Sequence, residues 1–412
     1  YYLNGRFRVL EKFIMPYPFS AMPVRRITLV VMIAPLLILL TTQPAAAGYC
    51  ESDYALVDDN FSGGNVGACE FSSNSVVSLV ITPEDAPPIN PSAWYSFRLS
   101  PKQTSEFEIG LRFVDGHARY LPKISEDGEH WATLGEDKYS ISDDRSTLTI
   151  RLAERTDPLF VSAQELMVAD DYERWMRKLA AHPELANKTL GRSIGGRPIQ
   201  ALVTQRRSEV VYLFGRQHPP EITGGMAMQR FVETVFANTP LARDFRTRFM
   251  LVLVPLINPD GVEAGHWRHN LGGRDLNRDW GPFTQPETQS IKRLIDELDA
   301  DGISPKLMLD FHSTQRSRFY TQMPEDFDEE LDFARDWLNR SRERMPEFDF
   351  LYDPRKPSGQ ENTKNFFFST YQIPAITYEI GDEVDRELIS STTPIFAEEM
   401  MRVMLERSSP VQ

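Results

Sequence analysis

Residues 249–257 form a nearly unbroken apolar run. A strand with one face in water alternates apolar and polar side chains. An unbroken run instead marks a strand buried on both faces, as in a mostly parallel sheet covered by helices. Around it, from Ala169 onward, helix-like and strand-like segments alternate. The patterning predicts a helix over 172–182, a hairpin over 191–204 turning at Gly195-Gly196, a strand over 210–215 and a helix over 219–238 with prolines at its start. It then predicts a helix over 286–300, a strand over 306–311, a helix over 326–344, a short helix near 362–371, a strand over 375–380 and a last helix from Pro394. The alternation implies an α/β domain over 161–412 with a mixed, largely parallel sheet flanked by helices. Such sheets bind ligands beyond the carboxyl ends of their strands, and the polar clusters of this chain lie there.

The preceding segment has a different character. From about 54 to 152 the apolar stretches are short, as at 75–82, 94–99, 107–113 and 146–152. Ser62-Gly63-Gly64, Asp85-Ala86-Pro87-Pro88, Asp115-Gly116 and Asp127-Gly128 separate such stretches. Many short strands with frequent turn signals suggest an all-β sandwich, placed at 48–160.

Residues 1–47 are expected to stand outside both folds. Arg25 and Arg26 precede an apolar run over 27–40, and Ala45-Ala46-Ala47 follows. A positive segment, a short apolar core and a small-residue cleavage site form a signal peptide, with Met22 as the expected start. The run is shorter than the ~20 residues of a membrane span, so no stable span is expected after cleavage. Tyr49 before Cys50 does not suit lipidation. The expected location is periplasmic or extracellular, an oxidising compartment in which Cys50 and Cys69, the only two cysteines, are read as one bridge.

Charge and composition exclude several classes. A net charge of −14 argues against a general nucleic-acid binder, which needs a basic face. Hydrophobic residues at 41% and charged residues at 25% argue against a disordered or multi-span membrane chain.

Four polar clusters carry chemistry. In Gly215-Arg216-Gln217-His218-Pro219-Pro220-Glu221, the three-residue spacing lets His218 and Glu221 converge on one point. Imidazole nitrogen and carboxylate oxygen both suit zinc. Asp310-Phe311-His312-Ser313-Thr314 follows another apolar strand and offers His312 as a third ligand. Two histidines and a glutamate with one open position make a catalytic zinc set. A third cluster runs from Asn258-Pro259-Asp260-Gly261 through Trp267-Arg268 to Asp275-Leu276-Asn277-Arg278. Its arginines suit bidentate recognition of a carboxylate. In the fourth, Thr377-Tyr378-Glu379-Ile380-Gly381-Asp382, Glu379 lies inside an apolar strand, where a carboxylate is costly unless it faces a site.

Taken together and in this order, these motifs resemble the zinc carboxypeptidases of the carboxypeptidase A type. Within them they resemble the subgroup that includes the cytosolic carboxypeptidases, which carry a β-sandwich before the catalytic domain. The motifs Asn90-Pro91-Ser92-Ala93-Trp94-Tyr95 and Glu126-Asp127-Gly128-Glu129-His130-Trp131 also look like that subgroup's N-terminal domain. The resemblance implies one zinc per chain on His218, Glu221 and His312, with Asp275 orienting His218. It implies Arg268 as oxyanion stabiliser, Asn277 and Arg278 as the grip on a terminal carboxylate, and Glu379 as general base. The substrate would be a peptide or protein C-terminus.

Two departures stand out. Where pancreatic members have a mobile tyrosine this chain has Pro357, leaving Tyr352 and Tyr371 as stand-ins. The side-chain specificity position falls on Lys364, or on Asn365 if one gap is allowed. Lys364 is either a selector for acidic termini or a solvated lysine on a short helix. A zinc amidase or deacylase acting on acylated amino acids or peptidoglycan peptides would use the same zinc residues and base. An inactive binding module would lack a ligand or the base, and all are present.

Overall fold

The computed structural model describes residues 48–323, 332–356 and 358–408. The expected signal segment 1–47, Pro357 and the predicted start of the helix at 326 lie outside the described residues.

The first strands are β1 (Tyr49–Glu51), β2 (Ala55–Asp58), β3 (Cys69–Ser73), β4 (Val76–Ile81), β5 (Ser96–Pro101) and β6 (Ser105–Phe113). After them come β7 (Lys123–Ser125), β8 (Ala132–Thr133), β9 (Tyr139–Ile141), β10 (Thr147–Arg155) and β11 (Leu159–Ser162). They form two sheets, ordered β1-β2-β5-β11-β7-β8 and β3-β4-β6-β10-β9. All pairs are antiparallel except β4 with β6. Alternate residues of β6 and β10, among them Ile109, Leu111, Leu148 and Ile150, are buried, as the period of two requires. The Cys50–Cys69 disulfide is present, with Cα atoms 5.5 Å apart, and it joins edge strands of the two sheets. By restricting the unfolded chain, such a bridge contributes about 3 kcal/mol.

Among the described residues the second half has eight strands in the order β12-β13-β15-β14-β16-β19-β17-β18. These are β12 (Ala186–Arg192), β13 (Pro198–Val203), β14 (Glu209–Gly215), β15 (Met250–Val254), β16 (Ser304–Thr314), β17 (Arg318–Thr321), β18 (Leu351–Pro354) and β19 (Ala375–Gly381). The central strands β15, β14, β16 and β19 run parallel; β13 and β17 border them antiparallel, and the outermost β12 and β18 run antiparallel and parallel, respectively, to their neighbours. The helices are α1 (Ala169–Leu179), α2 (Ile222–Val235), α3 (Pro240–Arg248), α4 (Pro259–Glu263), α5 (Pro286–Ala300), α6 (Phe333–Arg344), α7 (Thr363–Tyr371) and α8 (Arg386–Arg407). Val211 and Leu213 of β14 pack with Phe231 of α2, Trp337 of α6 and Phe396 of α8. Tyr212 and Phe214, on the other face, pack with Leu294 of α5 and Phe367 of α7. Both faces are covered, and every residue of β15 is buried, which is why its sequence reads as an unbroken apolar run.

Two helix starts differ from expectation. Helix α2 begins at Ile222, not at Pro219, and the two prolines lie in the turn before it. Helix α8 begins at Arg386, with Pro394 in its interior. Asp385 caps the true start by accepting from the Glu387 and Leu388 amides. The missing N–H of Pro394 costs one helical bond, but the buried face from Ile389 to Met404 runs across it.

The sandwich core does not end with the sandwich. Ile222, Leu256, Val262 and Trp267 belong to the same buried cluster as Phe97 and Leu111. The described residues from Gly48 to Ser408 accordingly form one compact unit. Among the described residues no helix is long and apolar enough to cross a membrane.

Candidate active site

Three neighbouring parallel strands deliver the metal residues and the base. Beyond the end of β14 the chain turns at Arg216, whose φ of +52° lies in the left-handed region. That conformation costs about 1–2 kcal/mol for a residue with a Cβ. The Arg216 side chain offsets it by donating to Pro219 O from Nε at 3.1 Å and Nη2 at 2.7 Å, and to Met167 O at 3.1 Å. The turn so held places His218 and Glu221 in contact, although neither lies within a helical turn: Nδ1 of His218 is 2.8 Å from Glu221 Oε1. His312, near the end of β16, brings its Nδ1 to 2.7 Å from Glu221 Oε2. Gly224 permits this closeness, because a Cβ there would stand 2.3 Å from the His312 carbonyl oxygen.

The three side chains are buried, and each offers a ligand atom within 4.8 Å of the others. Both histidines turn Nδ1 inward and hold Nε2 against a buried carboxylate. Nε2 of His218 lies 3.0 Å from Asp275 Oδ1, and Nε2 of His312 lies 2.9 Å from Asp310 Oδ2. A carboxylate behind each imidazole keeps the proton on Nε2 and leaves the Nδ1 lone pair for a metal. Burial opposes the charge on Glu221, but the neighbouring His218 and His312 outweigh it and hold the carboxyl well below its ordinary value. This donor set fits zinc. Asp275 takes the place expected of it, whereas the role of Asp310 emerges only from the structure. Its signal was present, since residues two apart on a strand share a face. Gln217 supports Asp310 by donating to Oδ2 at 2.6 Å.

Glu379 lies on β19 directly across from His312 in the parallel ladder. Its Oε2 is shielded and has no hydrogen-bond partner among the described residues. Burial and the charge of Glu221 push its carboxyl up to about 7. A carboxyl oxygen so shielded, beside the converging His218, Glu221 and His312, can accept a proton from water.

The third cluster reaches the same place. Arg268 is buried, and its Nε donates to Asp275 Oδ2 at 2.7 Å, so Asp275 bridges Arg268 and His218. Asn277 Oδ1 accepts from the Thr363 amide and hydroxyl, each at 3.0 Å, which ties this segment to the first turn of α7. Arg278 is partly buried, donates to Asn277 O at 2.7 Å and makes no ion pair among the described residues. Arg268, Asn277, Arg278 and Lys364 all line one cavity of about 610 Å³ with the metal residues and Glu379. That volume suits a small ligand or the end of a chain. Lys364 is 6% exposed, with Nζ 3.4 Å from Thr321 O, so it is not the solvated lysine that its helix position allowed. Asn365 lines the cavity as well.

Neither tyrosine stand-in lines this cavity. The Tyr352 hydroxyl meets Asp332, and that of Tyr371 meets Asp299. Tyr320 on β17 lines it instead. Sequence patterning also missed Arg119, which the sandwich contributes to the cavity wall. Its guanidinium donates to both oxygens of Asp382 at 2.9 and 3.0 Å and to Ser92 Oγ at 2.7 Å. A buried guanidinium and carboxylate facing each other from the two halves gave no local signal in either segment.

Comparison with known proteins agrees with this geometry. Residues 172–322 match the zinc carboxypeptidase family, and residues 57–162 match the cytosolic carboxypeptidase N-terminal domain. An uncharacterized protein of Zymomonas mobilis is 23% identical over 262 residues, 62% of this chain and 66% of that one. Human cytosolic carboxypeptidase 2 is 26% identical over 253 residues, 55% of this chain and 26% of that one. The match thus spans less than two thirds of either relative. Among solved structures, a metallo-carboxypeptidase from Burkholderia cenocepacia shares the fold, with a TM-score of 0.73 at 17% identity over 86% of this chain and all of that one. The chain is therefore homologous to the zinc carboxypeptidases, with a cytosolic carboxypeptidase-type N-terminal domain ahead of the zinc carboxypeptidase domain.

Proposed function

We propose that this chain is a zinc metallocarboxypeptidase that removes C-terminal residues from peptides. The observation that carries the reading is Glu379 held in register beside His312, with His218 and Glu221 converging on the same point. Zinc bound there supplies a Lewis acid and lowers the pKa of water toward ~7. Glu379 takes a proton from the attacking water and returns it to the leaving amine. Arg268 meets the negative charge that develops on the scissile carbonyl oxygen. Arg278, with Asn277 beside it, receives the substrate's terminal carboxylate. A buried Arg–carboxylate pair of this kind rejects internal peptide bonds, because their burial would leave the guanidinium unpaired.

The cavity wall supports a preference for acidic termini. Six cationic side chains (Arg119, Arg268, Arg278, Arg355, Lys356 and Lys364) line it against two carboxylates, Glu221 and Glu379. Asp382, Asp275 and Asp353 neutralise the first two and Arg355 respectively. Lys364, buried in that wall, would favour a terminal Glu or Asp over Leu by roughly tenfold to a hundredfold, the scale of a hydrogen bond to a charged group.

Export accompanies this reading. A leader-like segment at 1–47 and the Cys50–Cys69 bridge support a periplasmic or extracellular location.

One assay tests the function. The purified chain is offered dipeptides and longer peptides with free or amidated C-termini, with and without chelator. Chelator-sensitive release of the last residue, abolished by amidation, is expected. Hydrolysis of N-acyl amino acids without release from peptides would assign the amidase chemistry instead.

A further inference from the structure

The segment that carries Arg268 has no regular structure of its own between α4 and Leu276, yet Trp267, Arg268 and Asn270 in it are buried. Three successive backbone amides in it need partners, and a single side chain from the sandwich supplies them. Oε2 of Glu84 accepts from the Trp267 amide at 2.7 Å, and Oε1 accepts from the Arg268 amide at 2.9 Å and the His269 amide at 2.6 Å. Glu84 sits in the loop between β4 and β5, 184 residues before Arg268. The same loop holds the segment from two further directions. Asp85 Oδ2 lies 2.6 Å from His269 Nδ1, and the Trp94 carbonyl accepts from the Trp267 indole at 3.1 Å. Gly116, also in the sandwich, is pressed against the Trp267 ring, where a Cβ would stand 2.6 Å away.

Glu84, Asp85 and His269 bring ligand atoms within 4.8 Å of one another, which by composition could suggest a second metal. Both oxygens of Glu84 already accept from backbone amides, however, and three N–H groups around one carboxylate satisfy its charge without an ion.

We propose that Glu84 is a positioning residue: from the sandwich it fixes the backbone of Arg268, so that the guanidinium stands where charge develops in the transition state. This rests on the oxyanion role of Arg268 given above. Asp275 orients the far end of the arginine through Nε, and Glu84 fixes its near end at the amide. Losing either allows a displacement, and misplacing such a group by about 1 Å costs roughly a hundredfold in rate. The sandwich is then part of the catalytic apparatus and not an appended module.

The test uses the full zinc-loaded chain and N-acyl dipeptides ending in Glu, Asp, Leu, Phe or Lys. Wild type, Glu84→Ala, Glu84→Gln, Arg268→Ala and the Glu84→Ala/Arg268→Ala double variant are compared for kcat, KM and zinc content. Glu84→Ala is expected to lower kcat by about 10- to 100-fold. KM should change less than about threefold, with zinc still at one per chain. In the Arg268→Ala background the same change should have no further effect on kcat, which a merely structural role would not produce. Glu84→Gln keeps the shape but turns an N–H donor toward the amides, so it should also lose kcat. It carries the test if the alanine variant does not fold. Full activity in Arg268→Ala would sink the oxyanion role itself. An impaired Arg268→Ala beside a wild-type kcat in the Glu84 variants would overturn the positioning role alone, as would equal losses with and without Arg268.

Discussion

The metal residues and the arginine loop meet in one cavity but are built by opposite means. His312 and Glu379 stand on adjacent parallel strands, and their separation follows from a ladder of backbone hydrogen bonds. Arg268 stands on an irregular segment, and its position depends on side chains that reach it from elsewhere, Asp275 within the same half and Glu84 from the sandwich. One arrangement is set by backbone hydrogen bonds within the sheet, and the other by side chains, one of which comes from the sandwich. Damage to the sandwich face should therefore cost transition-state stabilisation and spare metal binding.

The sharpest probe of the ladder side is Glu379→Gln. It should keep zinc and lower kcat by roughly 10²–10⁴-fold, the range for loss of a general base. Metal analysis together with steady-state kinetics checks both halves of that statement, and unchanged kcat would move the base role to another group. On the loop side, Arg278→Ala should lower kcat/KM by about 10- to 100-fold, mostly through KM. Peptides with amidated ends should lose their disadvantage in that variant.

A smaller effect is set by pH. The carboxyl of Glu379 is pushed up to about 7 by burial and the Glu221 charge. The base must be ionised, so kcat/KM should fall with an acid limb, tenfold per pH unit below the pKa. Bound zinc is cationic and pulls that limb below 7. In the metal-free chain the sign for stability is opposite. A carboxyl raised from 4.5 to about 7 holds its proton more tightly when folded. Its contribution is fully present below the ordinary value and is lost as pH rises through about 7. Melting curves of the chelated chain, wild type against Glu379→Gln, should converge at low pH. Smallest of all should be Lys102→Ala at the far rim of the sandwich. Its pair with Glu51 is exposed on both sides, so the melting temperature should barely shift and kcat should not move. A large loss of kcat there would blur the contrast between the two sandwich faces.

Much of the ladder side was legible before the structure. Residues 249–257 announced a central strand, and His218, Glu221, His312 and Glu379 each stood beside or inside an apolar run. Such signals are local: strand pattern, turn residues and a polar group at the strand end all occupy one short window. On the loop side the arginine-rich cluster was legible as suited to a carboxylate and its individual roles only by resemblance, and nothing in the residues near Arg268 indicates a clamp 184 positions earlier in the chain. The same holds for Arg119, which finds Asp382 across 263 positions. Helix α8 was misread at its start because Pro394 is a strong local stop signal, whereas the buried face that carries the helix through it is a tertiary effect. The buried state of Lys364 also depended on a strand edge, Thr321, that no helix pattern could reveal.

The pairing of His312 with Glu379 has a consequence for folding fidelity. A slip of one residue between β16 and β19 would place Tyr378 or Ile380 across from His312, and the carboxylate would turn to the face that packs with α2 and α8. Burying an unpaired charge there is costly enough to remove such a register from the populated ensemble. Each molecule that completes the sheet in this register therefore acquires the spacing of Glu379 from His312 in the same step.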